Sequence, residues 1–310
     1  MAVSGSGSSG LRQDPFAHNL RAGDLEAVFL PGRGMLGASL RHRGVEILRR
    51  IEQLEAAAAS GSSAGIPLLY PWANRLAGYT YRAAGRAVVL DPLSPLLHLD
   101  AGGLPMHGVP WSLLAWEPIA AKSDFLKARL QWSRSDLLAL FPFPHDLEMA
   151  VTLLSDSLTI ETTVVAGRDG PVPVSFGFHP YFGLPDLPRA LWRLEMPAMR
   201  KLMLDPRGIP TGKEVSFDEL GTHLGELDLD DAFALISEHV SFSVAGGGRR
   251  ITMEFLAGYA FAQVYAPKDK DYIALEPMTA PASALTSGRG LRVVPPGERF
   301  RAAFRVSVEA

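Results

Sequence analysis

The chain has 310 residues, of which 47% are hydrophobic and 20% are charged, as is typical of a globular protein with a large core. A formal net charge of -3 gives no electrostatic reason to expect nucleic acid or an anionic membrane as a partner. The chain contains no cysteine, which excludes disulfides, thiolate catalysis and cysteine-ligated metals. A reducing cytoplasm fits this composition, and we take it as the expected location.

The N-terminus is rich in glycine and serine and lacks the basic and apolar regions of a signal peptide. We expect residues 1–23 to be a flexible tail and lead-in, and residues 24–310 to form a single domain. No apolar run approaches the roughly 18 residues that a membrane-spanning helix needs. The sequence therefore predicts neither secretion nor membrane insertion.

The first strand is predicted at Leu25–Leu30, and residues 32–37 after it match the dinucleotide fingerprint GxGxxG. The fingerprint requires a helix next, but Gly44 interrupts the following segment, which then resumes a strand-like pattern. A tight turn between two strands is the favoured interpretation. Residues 51–59 are the best helix candidate, and residues 60–65 are predicted to be a mobile loop.

Residues 65–78 contain two prolines, which argue against a regular helix or a central strand. We expect this irregular segment to line a site, because it carries Trp72, Asn74 and Arg75 together. Arg75 supplies fixed, charged donors suited to sugar or carboxylate oxygens, and Asn74 is placed to hold it. The alternative is a surface arginine paired with a carboxylate. A second loop-like stretch, residues 91–108, ends at His107, whose glycine neighbour allows a close backbone approach.

From residue 126 onward the apolar residues alternate with a period of two, which is typical of antiparallel strands. The clearest examples are residues 126–132, the hairpin of 147–153 with 158–164, the hairpin of 240–244 with 251–255, and residues 300–308. Long helices are nearly absent. The sequence therefore predicts one large, mostly antiparallel all-β domain.

Two strands are predicted to deliver titratable side chains. The apolar strand 174–178 stops at His179, which Pro180 restricts to extended geometry beside two aromatic residues. A second apolar strand delivers Glu276 and is predicted to end at Pro277; burial should raise the pKa of this carboxyl toward that of a useful base. A structural histidine and a structural carboxylate are the alternatives.

Three aspartates, Asp228, Asp230 and Asp231, cluster in a predicted loop. Calcium is a rival interpretation, but their spacing lacks the pattern of hand-type calcium loops.

Four blocks stand in order along the chain: residues 71–75 (Pro-Trp-Ala-Asn-Arg), 107–108 (His-Gly), 179–182 (His-Pro-Tyr-Phe) and 275–277 (Leu-Glu-Pro). With Asp230 before the last block, the chain resembles the aldose 1-epimerases, or galactose mutarotases, from about residue 24 to the C-terminus. The resemblance implies a large antiparallel β-sandwich, the galactose mutarotase-like supersandwich, with few short helices.

The same resemblance implies an isomerase that interconverts the α and β anomers of a free aldohexose, with Glu276 as base and His179 as acid. The residues it implies for binding the sugar hydroxyls are Arg75, His107, Asp230 and, beside them, Asn74. It implies no metal and no organic cofactor, a small sugar as the partner, and a monomer or homodimer. Aromatic side chains are candidates for packing on the sugar, although core packing is favoured for each one: Trp72, Trp111, Tyr181 and Phe182.

Some details depart from the family pattern or stay open. Ser283 stands where close relatives are expected to carry asparagine or aspartate, and the choice of Asp230 over Asp231 rests only on its distance from Phe233. A sugar-binding protein without turnover is one alternative, which the presence of both His179 and Glu276 argues against. A relative acting on phosphorylated hexoses is another, for which several arginines should converge on the pocket. A dinucleotide-dependent enzyme ranks last.

Overall fold

The computed structural model describes residues 17–49, 63–185 and 187–310 and shows an all-β fold with antiparallel strand pairing. Its strands are β1 His18–Ala22, β2 Leu25–Leu30, β3 Leu36–His42, β4 Val45–Glu46, β5 Leu68–Leu69, β6 Thr80–Ala83, β7 Arg86–Val89, β8 Glu117–Ala121, β9 Phe125–Trp132, β10 His145–Leu153, β11 Ser157–Ala166, β12 Val172–Val174, β13 Gly177–Phe178, β14 Tyr181–Phe182, β15 Arg193–Met196, β16 Met199–Leu204, β17 Pro210–Phe217, β18 Leu220–His223, β19 Leu229–Ala234, β20 Val240–Gly246, β21 Arg249–Ala257, β22 Phe261–Ala266, β23 Ile273–Met278, β24 Arg292–Val294 and β25 Arg299–Glu309. The α-helices of the described residues are short: α1 Ser135–Leu140 and α2 Ala284–Ser287.

Two large sheets dominate the fold. One has nine strands in the order β18-β15-β20-β21-β25-β11-β10-β9-β8. The other follows the order β17-β16-β19-β22-β23-β13-β5, with β14 also paired to β23. A four-stranded sheet, β1-β2-β3-β4, and two small strand pairs complete the described part. The predicted fold class is therefore confirmed.

The nine-stranded sheet follows the alternation read from the sequence. In β10 and β11 every second side chain is buried, and the two strands pair from His145 with Ala166 to Leu153 with Leu158. Strands β20 and β21 form the second predicted hairpin, joined by Gly247 and Gly248, both with positive φ. Such a two-residue turn matches the twist of the strands that it joins.

The two large sheets pack against each other through aromatic residues. The ring of Phe178 in β13 lies 5.1 Å from the ring of Phe304 in β25, and Phe176 lies 6.4 Å from Phe300. Successive side chains of an extended chain point to opposite sides. Because Phe178 faces the core, its neighbour His179 faces the other side of the eight-stranded sheet. That other side carries the candidate site.

The N-terminal third differs in places from the prediction. Strand β1, His18–Ala22, lies within the predicted lead-in and pairs antiparallel with β2, and Leu20 in its middle is buried. The fingerprint at residues 32–37 forms a single turn of 3-10 helix, Pro31–Arg33, followed directly by β3, so the strand-to-strand turn is confirmed. The predicted helix at 51–59 and residues 1–16 lie outside the described residues. No helix in the described ranges has the length and apolarity to cross a membrane.

Candidate active site

The register of three strands places His179 opposite Glu276. Strand β23 pairs with β14 at Ala274 and Tyr181, and with β13 at Met278 and Gly177. Counting two residues inward from either pair brings His179 opposite Glu276. Opposite residues of an antiparallel ladder project their side chains from the same face, about 5 Å apart at Cβ. The strand register thus brings the two titratable residues together.

The prediction that Pro277 ends its strand is wrong. Strand β23 continues through Pro277, which pairs with Ala262, to Met278. Proline is tolerated here because the ladder on the other side of β23 is already interrupted: Pro180 also lacks a backbone N–H and cannot donate across it.

His179 and Glu276 are in direct contact. The Nε2 atom of His179 lies 3.1 Å from Oε1 of Glu276, and the two residues are 7% and 2% exposed. Burial lowers the pKa of His179 to about 3, and the positive charge of Arg49 acts in the same direction. Burial, and next the negative charge of Asp230, raise the pKa of Glu276 well above its usual value. Both shifts favour the neutral forms, so the pair holds one proton between Nε2 and Oε1.

Neighbouring strands add polar groups to the same face. Gln263 of β22 is opposite Glu276, and Tyr265 is opposite both Ala274 and Asp230. The Nε2 amide of Gln263 donates to Oδ1 of Asp230 at 2.6 Å, and its Oε1 lies 3.5 Å from Nδ2 of Asn74. Gln263 therefore links two of the predicted sugar-binding residues and stands beside the predicted base.

The three clustered aspartates face different partners. Asp230 lines the cavity, whereas the next residue, Asp231, forms an ion pair with Lys201 at 2.7 Å. Asp228 accepts a hydrogen bond from the backbone of Lys268. Asp230 and Asp231 lie in strand β19 and not in the predicted loop, so alternation points them to opposite faces, and Asp228, just before the strand, has its own backbone partner. In the described part of the chain, no group of three or more histidine and acidic side chains is arranged to hold a metal ion.

His107 is held as a neutral donor. The backbone N–H of Asn74 donates to its Nδ1 at 3.1 Å, so the ring proton resides on Nε2. Burial, and then the neighbouring His179, lower the pKa of His107 well below its ordinary value. Gly108 is required next to it: φ is +68°, and a Cβ there would lie 2.2 Å from the carbonyl oxygen of Tyr70.

Arg75 both lines the cavity and pairs with a carboxylate, which were the two alternatives considered from sequence. Its Nε donates to Oδ2 of Asp100 at 2.6 Å, and one terminal nitrogen donates to Oδ1 of Asn74 at 3.2 Å. Yet the side chain is not a surface pair, since 22% of it is exposed and it lines the cavity. Asn74 has a φ of +57°, a conformation that asparagine tolerates better than most residues.

The cavity has a volume of about 370 Å³. Its lining residues are Arg49, Ser63, Asn74, Arg75, His98, Met106, His107, His179, Tyr181, Asp230, Gln263, Tyr265, Tyr272 and Glu276. All six residues predicted for the site are among them. Of the aromatic candidates, only Tyr181 lines the cavity: its ring stacks 4.1 Å from that of His179, and its hydroxyl bonds to Ser63 at 2.7 Å. Trp72, Trp111 and Phe182 are buried and are absent from this lining.

Sequence reasoning missed several lining residues, namely Arg49, His98, Gln263, Tyr265 and Tyr272. Gln263 carried a signal, because it is a polar residue within the apolar run of β22 and points to the same side as Tyr265. Arg49 and His98 carried no such signal in the sequence, because they lie outside regular strands and reach the cavity only through the tertiary fold.

Comparison with known proteins agrees with this fold. The family model described as aldose 1-epimerase matches residues 36–307.

The chain belongs to the aldose 1-epimerase family.

Among sequence relatives, an uncharacterized protein of Escherichia coli strain K12, YihR, is 23% identical over 93% of this chain and 92% of its own length. Among solved structures, Slr1438 of Synechocystis sp. PCC 6803 is 25% identical with a TM-score of 0.76, covering 100% of this chain and 99% of the other. A galactose mutarotase-like protein of Clostridium acetobutylicum has a TM-score of 0.82 at 19% identity and 94% coverage of both chains, a likeness of fold.

Proposed function

We propose that this member of the aldose 1-epimerase family interconverts the α and β anomers of a free aldohexose, with Glu276 and His179 as the proton-transferring pair. The observation that carries the proposal is the 3.1 Å contact between Nε2 and Oε1 at the wall of the cavity. In a cyclic aldose the anomeric hydroxyl oxygen and the ring oxygen are bonded to one carbon. Ring opening removes a proton from the first and adds one to the second, so the two catalytic groups must lie close together.

The shared proton of the pair supports this chemistry. Its transfer from Oε1 of Glu276 to Nε2 of His179 converts the neutral pair into a carboxylate and an imidazolium. The carboxylate then accepts the proton of the anomeric hydroxyl, while the imidazolium donates its proton to the ring oxygen as the C1–O5 bond breaks. Rotation about C1–C2 and reclosure with the roles reversed yields the other anomer. The proton count of the pair is restored.

The surrounding groups fit the binding of a polyhydroxylated ligand. The Nε2–H of His107 and the guanidinium of Arg75 are donors, whereas the carboxylate of Asp230 is an acceptor. Gln263 supplies both kinds of group. A sugar hydroxyl both donates and accepts, so this mixture pairs with it from either side. Tyr181 offers a flat apolar ring for the C–H face of the sugar, with its hydroxyl already bonded to Ser63.

A phosphorylated hexose is the second candidate substrate, because Arg49 lines the cavity in addition to Arg75. The guanidinium carbon of Arg49 lies 4.7 Å from the ring centre of Tyr272, at the exposed edge of the site. A cation so placed suits an anionic substituent on the sugar, since arginine is well suited to phosphate. A location in the cytoplasm, where such sugars occur, remains a prediction.

Polarimetry tests both candidates. We expect the protein to accelerate the change of optical rotation of freshly dissolved α-glucose or α-galactose. The same assay with the corresponding 6-phosphates, and with Arg49→Gln, separates the candidates: a preference for phosphate that Arg49→Gln abolishes identifies the phosphorylated substrate. Saturable sugar binding without any acceleration would instead support a binding protein and contradict the proposed reaction.

A further inference from the structure

The loop of residues 98–107 is joined to the segment that carries Arg75. Within the loop, the backbone N–H of Asp100 donates to the carbonyl of Leu104 at 2.9 Å. Toward the other segment, Leu76 donates to the carbonyl of Pro105 at 2.9 Å, and His107 donates to that of Asn74 at 3.0 Å. The backbones of the two segments are therefore held at a fixed separation at this point.

Asp100 is the residue of this loop that reaches Arg75. Its Oδ1 accepts hydrogen bonds from the backbone N–H groups of Gly102 and Leu104, both at 2.9 Å. Its Oδ2 is thereby aimed at Nε of Arg75, 2.6 Å away, and the side chain is 12% exposed. Burial alone raises the pKa of Asp100, but the backbone bonds and Arg75 outweigh it and hold the pKa below its ordinary value. The carboxylate is thus ionised when it contacts the guanidinium.

The remaining contacts of Arg75 complete the orientation of its guanidinium. The side-chain oxygen of Asn74 accepts a hydrogen bond from one terminal nitrogen, Nη1. A Cβ at Gly208 would lie 3.0 Å from Nη1, so the loop after β16 packs closely against it. With Nε bonded to Asp100, the second terminal nitrogen, Nη2, has no hydrogen-bond partner among the described residues. Arginine holds its donors in one rigid plane, so fixing Nε and Nη1 also fixes the direction of Nη2.

We propose that Asp100 is a positioning residue for substrate binding, which acts by locking the guanidinium of Arg75 so that its second terminal nitrogen donates to a hydroxyl of the bound sugar. The inference rests on the proposed function. It assigns a role to Asp100, which lies outside the four family blocks. Because the side-chain hydrogen bonds of Arg75 go to Asp100 and Asn74 and not to the proton-transferring pair, its orientation serves binding in the ground state and the transition state alike, and loss of that orientation raises KM rather than lowering kcat.

The variant Asp100→Asn tests this positioning role, because it removes the carboxylate with little change in side-chain shape. Asparagine keeps an Oδ1 acceptor for Gly102 and Leu104, but it turns an amide donor toward Nε of Arg75. We expect KM for the preferred sugar to rise about 10- to 100-fold, the scale of a lost charge-assisted hydrogen bond, with kcat changed less than about threefold. The matched control is Asp91→Asn, because Asp91 also caps its own loop, through Leu93 at 2.9 Å, but is exposed. It should leave both constants unchanged.

A double-mutant cycle distinguishes positioning from loop stability. If Asp100 acts through Arg75, Asp100→Asn should alter kcat/KM less than about threefold in an Arg75→Ala background. Equal losses in both backgrounds would overturn the inference, as would an unchanged KM in the single variant. Arg75→Lys is a second route, because lysine lacks Nε: it should show the same rise in KM, and Asp100→Asn should add nothing to it. An inactive unaltered protein would instead refute the proposed function.

Discussion

The two large sheets differ most in the continuity of their ladders. In the nine-stranded sheet, β10 and β11 pair without a break from His145 to Leu153. In the eight-stranded sheet, β23 pairs with β13 at one residue and with β14 at two, and the gap lies at His179 and Pro180. Apart from His145 at its end, the continuous ladder buries mainly apolar side chains on its inner face, whereas the gap holds two buried titratable groups in direct contact. Buried titratable groups are costly to stability, and they are the groups that chemistry requires.

The sharpest test of this contrast replaces titratable residues at the gap and compares them with a glutamate replaced in the nine-stranded sheet. Glu276→Gln should lower kcat by about 10²-fold or more, the scale of a lost proton-transfer catalyst, and His179→Asn should do the same. Glu276→Gln should unfold at the temperature of the unaltered protein or above it, because folding raises the pKa of Glu276 and so costs stability at neutral pH, where the unfolded chain has this carboxyl ionised. The measurement is polarimetry alongside thermal unfolding.

Glu254→Gln is the matched control from the nine-stranded sheet, where this glutamate faces outward beside Arg305. Its activity should be unchanged. Full activity in Glu276→Gln would remove the proposed pair from the reaction.

In the continuous ladder we expect a substitution to lower stability and to leave the catalytic rate unchanged. Ile160 of β11 is fully buried, and Ile160→Ala should reduce the free energy of unfolding by about 2–5 kcal/mol, from lost burial and the cavity left behind. The rate per folded molecule should be unchanged. Thr163→Ala, on the outer face of the same strand, should cost less than about 0.5 kcal/mol. Denaturant titration measures both, and a large loss of rate in folded Ile160→Ala would show that the sheets are not separable in function.

A pH titration examines the junction between the sheets. His145 of β10 donates from Nδ1 to the carbonyl of Phe143 at 2.5 Å. Its other ring nitrogen accepts from the hydroxyl of Tyr70, which belongs to the segment that carries Arg75. Burial lowers the pKa of His145 to about 4. The unfolded chain therefore binds this proton first, and stability present above about pH 6.5 is lost as the pH falls toward 4, by about 3 kcal/mol.

The difference in unfolding free energy between the unaltered protein and His145→Gln isolates this group. We expect the difference to shrink as the pH falls through that range. Parallel pH profiles would show that the charged form of His145 is accommodated in the folded state.

The smallest effect is expected at an exposed turn. Gly248 has a φ of +80° and open space where a Cβ would project, so Gly248→Ala should cost only the backbone penalty, about 1 kcal/mol. Gly170→Ala is the control, since Gly170 also has open space but lacks a positive φ. Equal unfolding temperatures for the two variants would contradict the conformational explanation.

The regular strands could be predicted from the sequence because apolar and polar residues alternate along a half-buried strand. The alternation at residues 147–164 and the glycines at 246–248 depend only on near neighbours. By contrast, Pro277 was misread as the end of β23, and β1 was not recognised. Both depend on what lies beside the strand: an interrupted ladder permits a proline within β23, and a free edge of β2 receives β1.

For the candidate site, residue type and local sequence determined which side chains were available: a histidine and a glutamate delivered by apolar strands, and an arginine beside an asparagine in an irregular segment. Only the tertiary structure decided that His179 lies opposite Glu276, that Asp230 rather than Asp231 lines the cavity, and that Asp100 holds Arg75. The reason is physical. Strand period is a local property of the chain, whereas register, the facing side of a strand and the partner of a charge are set by segments far away in sequence.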